Sequence, residues 1–221
     1  MNLEPLSPAN ATVVLVDHAV GFANLLRSHD LREHVNNVVG LAKTAKLYGA
    51  GLVVTNGEPA KPSGPLYPEL LAALGDQPVI ERATAFDSFL DPAFRAAVEA
   101  TGRRRLLIGG IATDGCVLQT ALGALRAGYE TYVVADATAS TSKEAHDTAI
   151  QRMVLSGVVP VTWWSIAAEF QLDPRFADSP IRTQLMTEFQ PAMTMGGRTF
   201  FAGVAQGRRT AGSAPEDGPG R

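Results

Sequence analysis

Six short apolar runs, most of them rich in β-branched residues, recur along the chain at 11–16 (ATVVLV), 51–55 (GLVVT), 78–81 (PVIE), 105–109 (RLLIG), 131–135 (TYVVA) and 158–162 (VVPVT). Their apolar character is mostly continuous rather than alternating, as in strands of a parallel sheet covered on both faces. Between them, helical spacing predicts helices over 31–48, 68–74, 92–101, 115–127 and 142–156. Pro92 suits the first turn of its helix, with Asp91 before it as the N-cap. Gly49, Gly102, Gly128 and Gly157 follow four of the helices, where a left-handed residue ends a helix. Repeated β-α-β units predict an α/β fold: a doubly wound, three-layer α/β/α domain on a mainly parallel six-stranded sheet.

That pattern accounts for residues 1–185. Beyond it, 186–204 holds Phe189, Met193, Met195, Phe200 and Phe201 among glycines, an apolar segment outside the β-α-β core that suits an oligomer contact or packing on its own domain. The stretch 205–221 (AQGRRTAGSAPEDGPGR) has no apolar residue larger than alanine and is expected to form a flexible tail.

Composition narrows the function classes. The 221 residues carry 19 basic and 22 acidic side chains, a formal net charge of -3, which gives no long-range attraction for nucleic acid. No apolar run approaches the roughly 20 residues of a membrane span. The amino terminus, MNLEPLSPANATVV, lacks a basic region followed by an apolar run, so it does not read as a signal peptide, and a cytoplasmic location is expected. The single cysteine, Cys116, excludes an intrachain disulfide, a cysteine-rich zinc site and an iron-sulfur cluster. It leaves an inert buried thiol, an intermolecular link or a nucleophile.

In open parallel sheets, ligands bind beyond the carboxyl ends of the strands, where strand order reverses. Asp17 ends the first strand, Arg82 follows the third, and the fourth leads through Ile111, Ala112, Thr113, Asp114 and Gly115 to Cys116. If strands one and four are neighbours, Asp17 and Cys116 face each other at that point. A helix amino terminus favours a thiolate, the carboxylate can accept the thiol proton, and a fixed cation offsets the repulsion between them. Such a constellation suits covalent catalysis on a carbonyl. Taken singly, Asp17 also reads as a turn cap and Arg82 as a surface ion pair with Glu81 or Asp87.

These residues resemble the isochorismatase-like cysteine hydrolases. The resemblance runs from about residue 11 to 169 and rests on VVLVD ending at Asp17, AFDSF after Arg82, LLIGGIATDGCV, YVVADAT and SKEAHDTAIQRM. GPLYPEL and WWSIAAE resemble the YcaC-related subgroup. The resemblance implies Asp17 as general base, Cys116 as nucleophile, and Arg82 in the place of the usual triad lysine. It also implies a cis peptide between Ile111 and Ala112, with the N–H groups of Ala112 and Cys116 as an oxyanion hole. A small amide would then be cleaved at its C–N bond through a thioester, without cofactor, by a homo-oligomer.

Two departures bear on this. Arginine, unlike lysine, does not exchange a proton, which leaves Arg82 an electrostatic and orienting role. The nicotinamidase branch uses an Asp and two His for a metal after strand two, whereas TNGEPAKPSG here has no histidine, so no metal is expected. Phe22, Asn56 and Phe86 are candidate substrate-pocket residues, with Trp163 and Trp164, read as ending strand six, as further candidates. A non-catalytic or weakly active binding or scaffold protein is the alternative. Vinyl ether hydrolysis of the isochorismatase type is a third reading, against which the cysteine argues.

Overall fold

A computed structural model describes residues 4–58, 60–82 and 85–212. The chain divides into two compact units, Met1–Arg182 and Thr183–Arg221.

The first unit is built on a six-stranded sheet in the order β3-β2-β1-β4-β5-β6. The strands are β1 (Ala11–Val16), β2 (Gly51–Asn56), β3 (Val79–Glu81), β4 (Arg105–Ile111), β5 (Glu130–Ala139) and β6 (Val159–Val161). All five pairings are parallel, and β1 and β4 lie side by side at the point where the order reverses. Every residue of β1 and β4 is buried, which is why their sequences read as unbroken apolar runs.

The helices are α1 (Val20–Ala23), α2 (Leu31–Tyr48), α3 (Pro68–Leu74), α4 (Pro92–Ala100), α5 (Leu118–Arg126), α6 (Lys143–Leu155) and α7 (Trp163–Phe170). Local sequence fixes their ends. The Asp91 side chain accepts from the Ala93 and Phe94 N–H groups ahead of Pro92, and Gly49 ends α2 at φ 71°. One core packs Val14, Val16, Leu106 and Ile108 of the sheet against Phe94 and Val98 of α4, Leu118 and Ala121 of α5, and Met153 of α6. The result is the α/β/α arrangement expected of the pattern.

Trp163 and Trp164 do not end a strand. They open α7, which Thr162 caps by accepting from the Ser165 N–H. Trp163 is a core residue at 1% exposure: its indole N–H donates to Asn37 Oδ1 at 3.0 Å, and its ring rests on Gly40.

The second unit begins within α8 (Ile181–Phe189) and continues in α9 (Pro191–Gly212). Residues 205–212, expected as coil, are therefore helical. Once a helix is nucleated, each added residue gains a hydrogen bond, and Ala205, Gln206 and Arg208 are good helix formers. The rest of the expected tail, 213–221, lies outside the described residues. Met193, Met195, Phe200 and Phe201 are 50 to 70% exposed. Among the described residues no helix is long and apolar enough to cross a membrane.

Candidate active site

The β1–β4 boundary positions the chemistry. Asp17 leaves β1 with φ 55°, a left-handed conformation that Asp and Asn tolerate better than most residues. Its N–H still donates to Thr55 O at 3.1 Å, so the reversal occurs at the last sheet hydrogen bond. The turn aims the carboxylate at β2 and β3. Thr55 Oγ1 donates to Asp17 Oδ1 at 2.9 Å, and Arg82 Nε donates to the same oxygen at 3.2 Å. Arg82 Nη2 donates to Asp17 Oδ2, which makes the contact bidentate. Arg82 thus pairs with Asp17, and the alternative of a surface pair with Glu81 or Asp87 is replaced. Asp87 instead pairs with Arg126 at 2.8 Å.

Arg82 is held at both ends. Its N–H donates to Asn56 O at 3.0 Å, and Nη1 donates to Ala85 O. Burial works against its charge, but the Asp17 carboxylate and the neighbouring Cys116 outweigh that and keep the guanidinium firmly protonated.

Cys116 lies in a single π turn, Thr113–Val117, between β4 and α5, rather than at the first residue of a regular helix. The Gly115 and Val117 N–H groups both donate to Ala112 O, at 3.1 and 3.2 Å. Side chains on either side pin the turn: Thr113 Oγ1 meets His146 Nδ1 at 2.9 Å, and Ser140 Oγ donates to Asp114 Oδ1 at 2.5 Å. The peptide bond between Ile111 and Ala112 is cis. The thiol is not primed as a thiolate. Burial pushes its pKa up and Asp17 adds to the rise, while Arg82 opposes them without prevailing. Desolvation disfavours the charged form of a buried thiol.

Asp17, Arg82 and Cys116 line one cavity of about 480 Å³, together with Phe22, Phe86, Glu58, Lys61 and Glu81. A second cavity of about 200 Å³ shares Cys116, Phe22 and Phe86 and adds Ala112, Leu25, Leu26 and Ile111. Phe86 lines both cavities, and the chain around it is anchored on α5. Ser88 N–H donates to Thr120 Oγ1 at 3.1 Å, and the Thr120 hydroxyl reaches Phe86 O at 3.4 Å.

Asn56 does not line either cavity. Its Nδ2 donates to Gly64 O at 3.0 Å and so fastens the 57–64 loop, which supplies Glu58 and Lys61. Thr55, Leu25, Leu26, Glu58, Lys61 and Glu81 are contacts that sequence reading missed. Of these only Thr55 carried a signal, a hydroxyl in an apolar strand next to the register position of Asp17.

The four histidines, scattered in sequence, converge in one cluster. His18 stacks on His34 with centroids 5.6 Å apart, His34 is 6.4 Å from His29, and His29 is 4.7 Å from His146. His18 Nε2 bonds to Ala137 O at 3.1 Å, and burial lowers its pKa to about 4, so it is a neutral structural residue. Among the described residues no group of three or more His, Cys, Asp or Glu is arranged to hold a metal ion.

The isochorismatase domain family matches residues 11–165. The probable hydrolase YcaC of Escherichia coli is 34% identical over 170 residues, covering 77% of this chain and 82% of the relative. YcaC from Pseudomonas aeruginosa, solved with hexane-2,5-diol and covalent acrylamide, superposes with a TM-score of 0.85 at 31% identity, over 90% of this chain and 98% of that one. The E. coli YcaC crystal structure, an octameric hydrolase of unknown specificity, gives the same TM-score and identity, over 91% and 98% of the two chains. With the family matched across the whole β-α-β core and YcaC matched over most of both chains, this chain belongs to the isochorismatase family and groups with its YcaC-like hydrolases.

Proposed function

We propose that the chain is a cysteine hydrolase that cleaves the C–N bond of a small amide-like substrate through a thioester, with no cofactor. The observation that carries this reading is that the sole cysteine shares a cavity with a buried carboxylate whose charge a bidentate arginine balances.

The resting thiol is protonated, so attack needs a base at hand, and Asp17, the buried carboxylate among those lining the cavity, can take the proton. Sulfur then bonds to the amide carbon, and the carbonyl electrons move onto oxygen. The Ala112 and Cys116 N–H groups stabilise that oxyanion, a contribution on the order of 3 kcal/mol per donor. The oxyanion collapses, the C–N bond breaks, and protonated Asp17 gives its proton to the departing nitrogen. Water adds to the thioester while Asp17 takes one of its protons, and the acid and the thiol are released. Arg82 neither gains nor loses a proton; it keeps Asp17 oriented throughout.

The P. aeruginosa YcaC structure carries covalent acrylamide, itself a small amide, in keeping with this reading. The octameric E. coli YcaC and the exposed Met195, Phe200 and Phe201 support a homo-oligomer here. The raised thiol favours one second reading, a binding protein of the same fold with little turnover.

Ammonia release is to be screened across small primary amides, ureido acids and acyl hydrazides, with intact-mass detection of the acyl-enzyme. Cys116→Ser should abolish both turnover and adduct. Unchanged turnover would sink the mechanism, and no adduct or turnover with any amide would favour the binding protein.

A further inference from the structure

The two cavities share Cys116 but differ in chemistry. The larger carries Asp17, Arg82, Glu58, Lys61 and Glu81, and the smaller is walled by Leu25, Leu26 and Ile111. Phe22, Phe86 and Cys116 line both. An amide carbon attacked by that sulfur has three other substituents to place. If the proposed mechanism holds, on which this inference rests, the oxygen lies at Ala112 and Cys116. The nitrogen must reach Asp17 to receive its proton, and Asp17 lines only the larger cavity. The acyl chain is left the smaller cavity, whose lining also includes Ala112, so oxygen and chain lie on that side of the sulfur and nitrogen on the other.

Size and charge then limit both halves. At about 30 Å³ for each water-sized group, a cavity of about 200 Å³ takes roughly six heavy atoms. In the larger cavity Asp17 pairs with Arg82 and Glu58 pairs with Lys61 at 3.0 Å. Glu81 also lines it and has no ion pair among the described residues. The excess negative charge favours a leaving amine that becomes a cation and disfavours one bearing a carboxylate.

We infer that the site sorts its substrate, taking a short apolar acyl chain of about six heavy atoms into the cavity of Leu25 and Leu26, and a neutral or cationic leaving amine into the cavity of Glu81.

The test uses the full-length protein and two independent readouts. In the first, kcat/KM is measured for acetamide, butanamide, hexanamide and decanamide, and for N-(2-aminoethyl)hexanamide against N-hexanoylglycine. In the second, the same amides and the aldehydes acetaldehyde, butanal and hexanal compete with iodoacetamide for Cys116, the sole thiol; aldehydes add reversibly to sulfur and place their chain where an acyl chain would lie. The expected gain is up to about fourfold per methylene to hexanamide, then a fall for decanamide. The aminoethyl amide should be better than the glycine conjugate by on the order of tenfold at low salt, with the gap shrinking as salt is added. Leu25→Trp, a change at a half-exposed position, should flatten the chain-length series, and Glu81→Gln should narrow the charge preference.

Amides hydrolysed with no chain-length or charge preference would overturn the sorting and leave the hydrolase reading intact. Protection of Cys116 in the expected order without hydrolysis of any amide would uphold the sorting and overturn the hydrolase reading. Equal protection by all competitors without turnover would overturn both.

Discussion

Arg82 grips both carboxylate oxygens of Asp17, with Nε on Oδ1 at 3.2 Å and Nη2 on Oδ2, while the Thr55 hydroxyl donates to Oδ1 at 2.9 Å. The two side chains are only 4% and 8% exposed, so each charge depends on the other rather than on water. A planar fork fixes the carboxylate in one plane, which a lysine ammonium, a single point charge, does not. Arg82→Lys keeps the charge and loses the fork: kcat/KM should fall about tenfold or more while the protein stays folded. Arg82→Gln strands a buried carboxylate and should cost on the order of 3 kcal/mol in stability by urea denaturation. Wild-type kcat/KM in Arg82→Lys would mean that orientation by the fork is not needed.

The thiol beside this pair gives a prediction of defined sign. Burial and Asp17 raise the Cys116 pKa and Arg82 lowers it. Iodoacetamide labelling should therefore rise with pH and inflect above the ordinary thiol value of about 8.5. Asp17→Asn should move the inflection down and Arg82→Gln should move it up. An inflection below that of a free thiol in the wild type would contradict the desolvated environment.

The sheet and the strand-end residues were legible because burial on both faces leaves unbroken apolar runs, and because ligands gather where such runs stop. Asp17, Arg82 and Cys116 each follow the end of such a run, which puts all three at one edge of the sheet. What was not legible depends on tertiary contacts. VVPVTWW reads through from strand to tryptophans, and the Thr162 cap is closed by Ser165 rather than a glutamate, so α7 has no conspicuous start. The π turn is fixed by Ser140 and His146 from distant segments. Asn56 ends its strand as Asp17 does, yet a loop carbonyl claims its amide. The charge state of Cys116 was read from its position beside a helix, whereas burial decides it.

The close approach of β1 and β4 is tested at Gly110. A Cβ there would lie 2.5 Å from Val16 O and 2.8 Å from Val16 Cβ, contacts with backbone and core that no side-chain rotation relieves. Gly110→Ala should spread the strands that carry Asp17 and the Cys116 turn, losing about 1–3 kcal/mol or more in stability. Turnover per folded molecule should fall as well. Gly207→Ala, where an added Cβ would meet nothing within 4 Å beyond its own helix backbone, is the control and should not lower the urea midpoint. Equal midpoints for the two variants would mean that the strands have slack to give.

Acid should weaken the fold through the histidine cluster. Burial lowers the pKa of His18 and His146 to about 4 and lowers that of His34 and His29 as well. An unfolded histidine titrates near 6.5, so between that pH and about 4 the unfolded chain binds protons that the folded chain refuses. Stability is then fully present above pH 6.5 and declines as pH falls through this window, by up to about 3 kcal/mol for the wholly buried His18. Asp136 acts in the opposite sense: burial raises its pKa to about 6, so protonation below that value favours the folded state. One carboxyl set against four histidines reduces the slope without reversing it. Urea midpoints at pH 8, 6.5 and 5 should fall in that order, with the larger step between the second and the third. A midpoint that holds or rises at pH 5 would show that the histidines take up protons inside the fold.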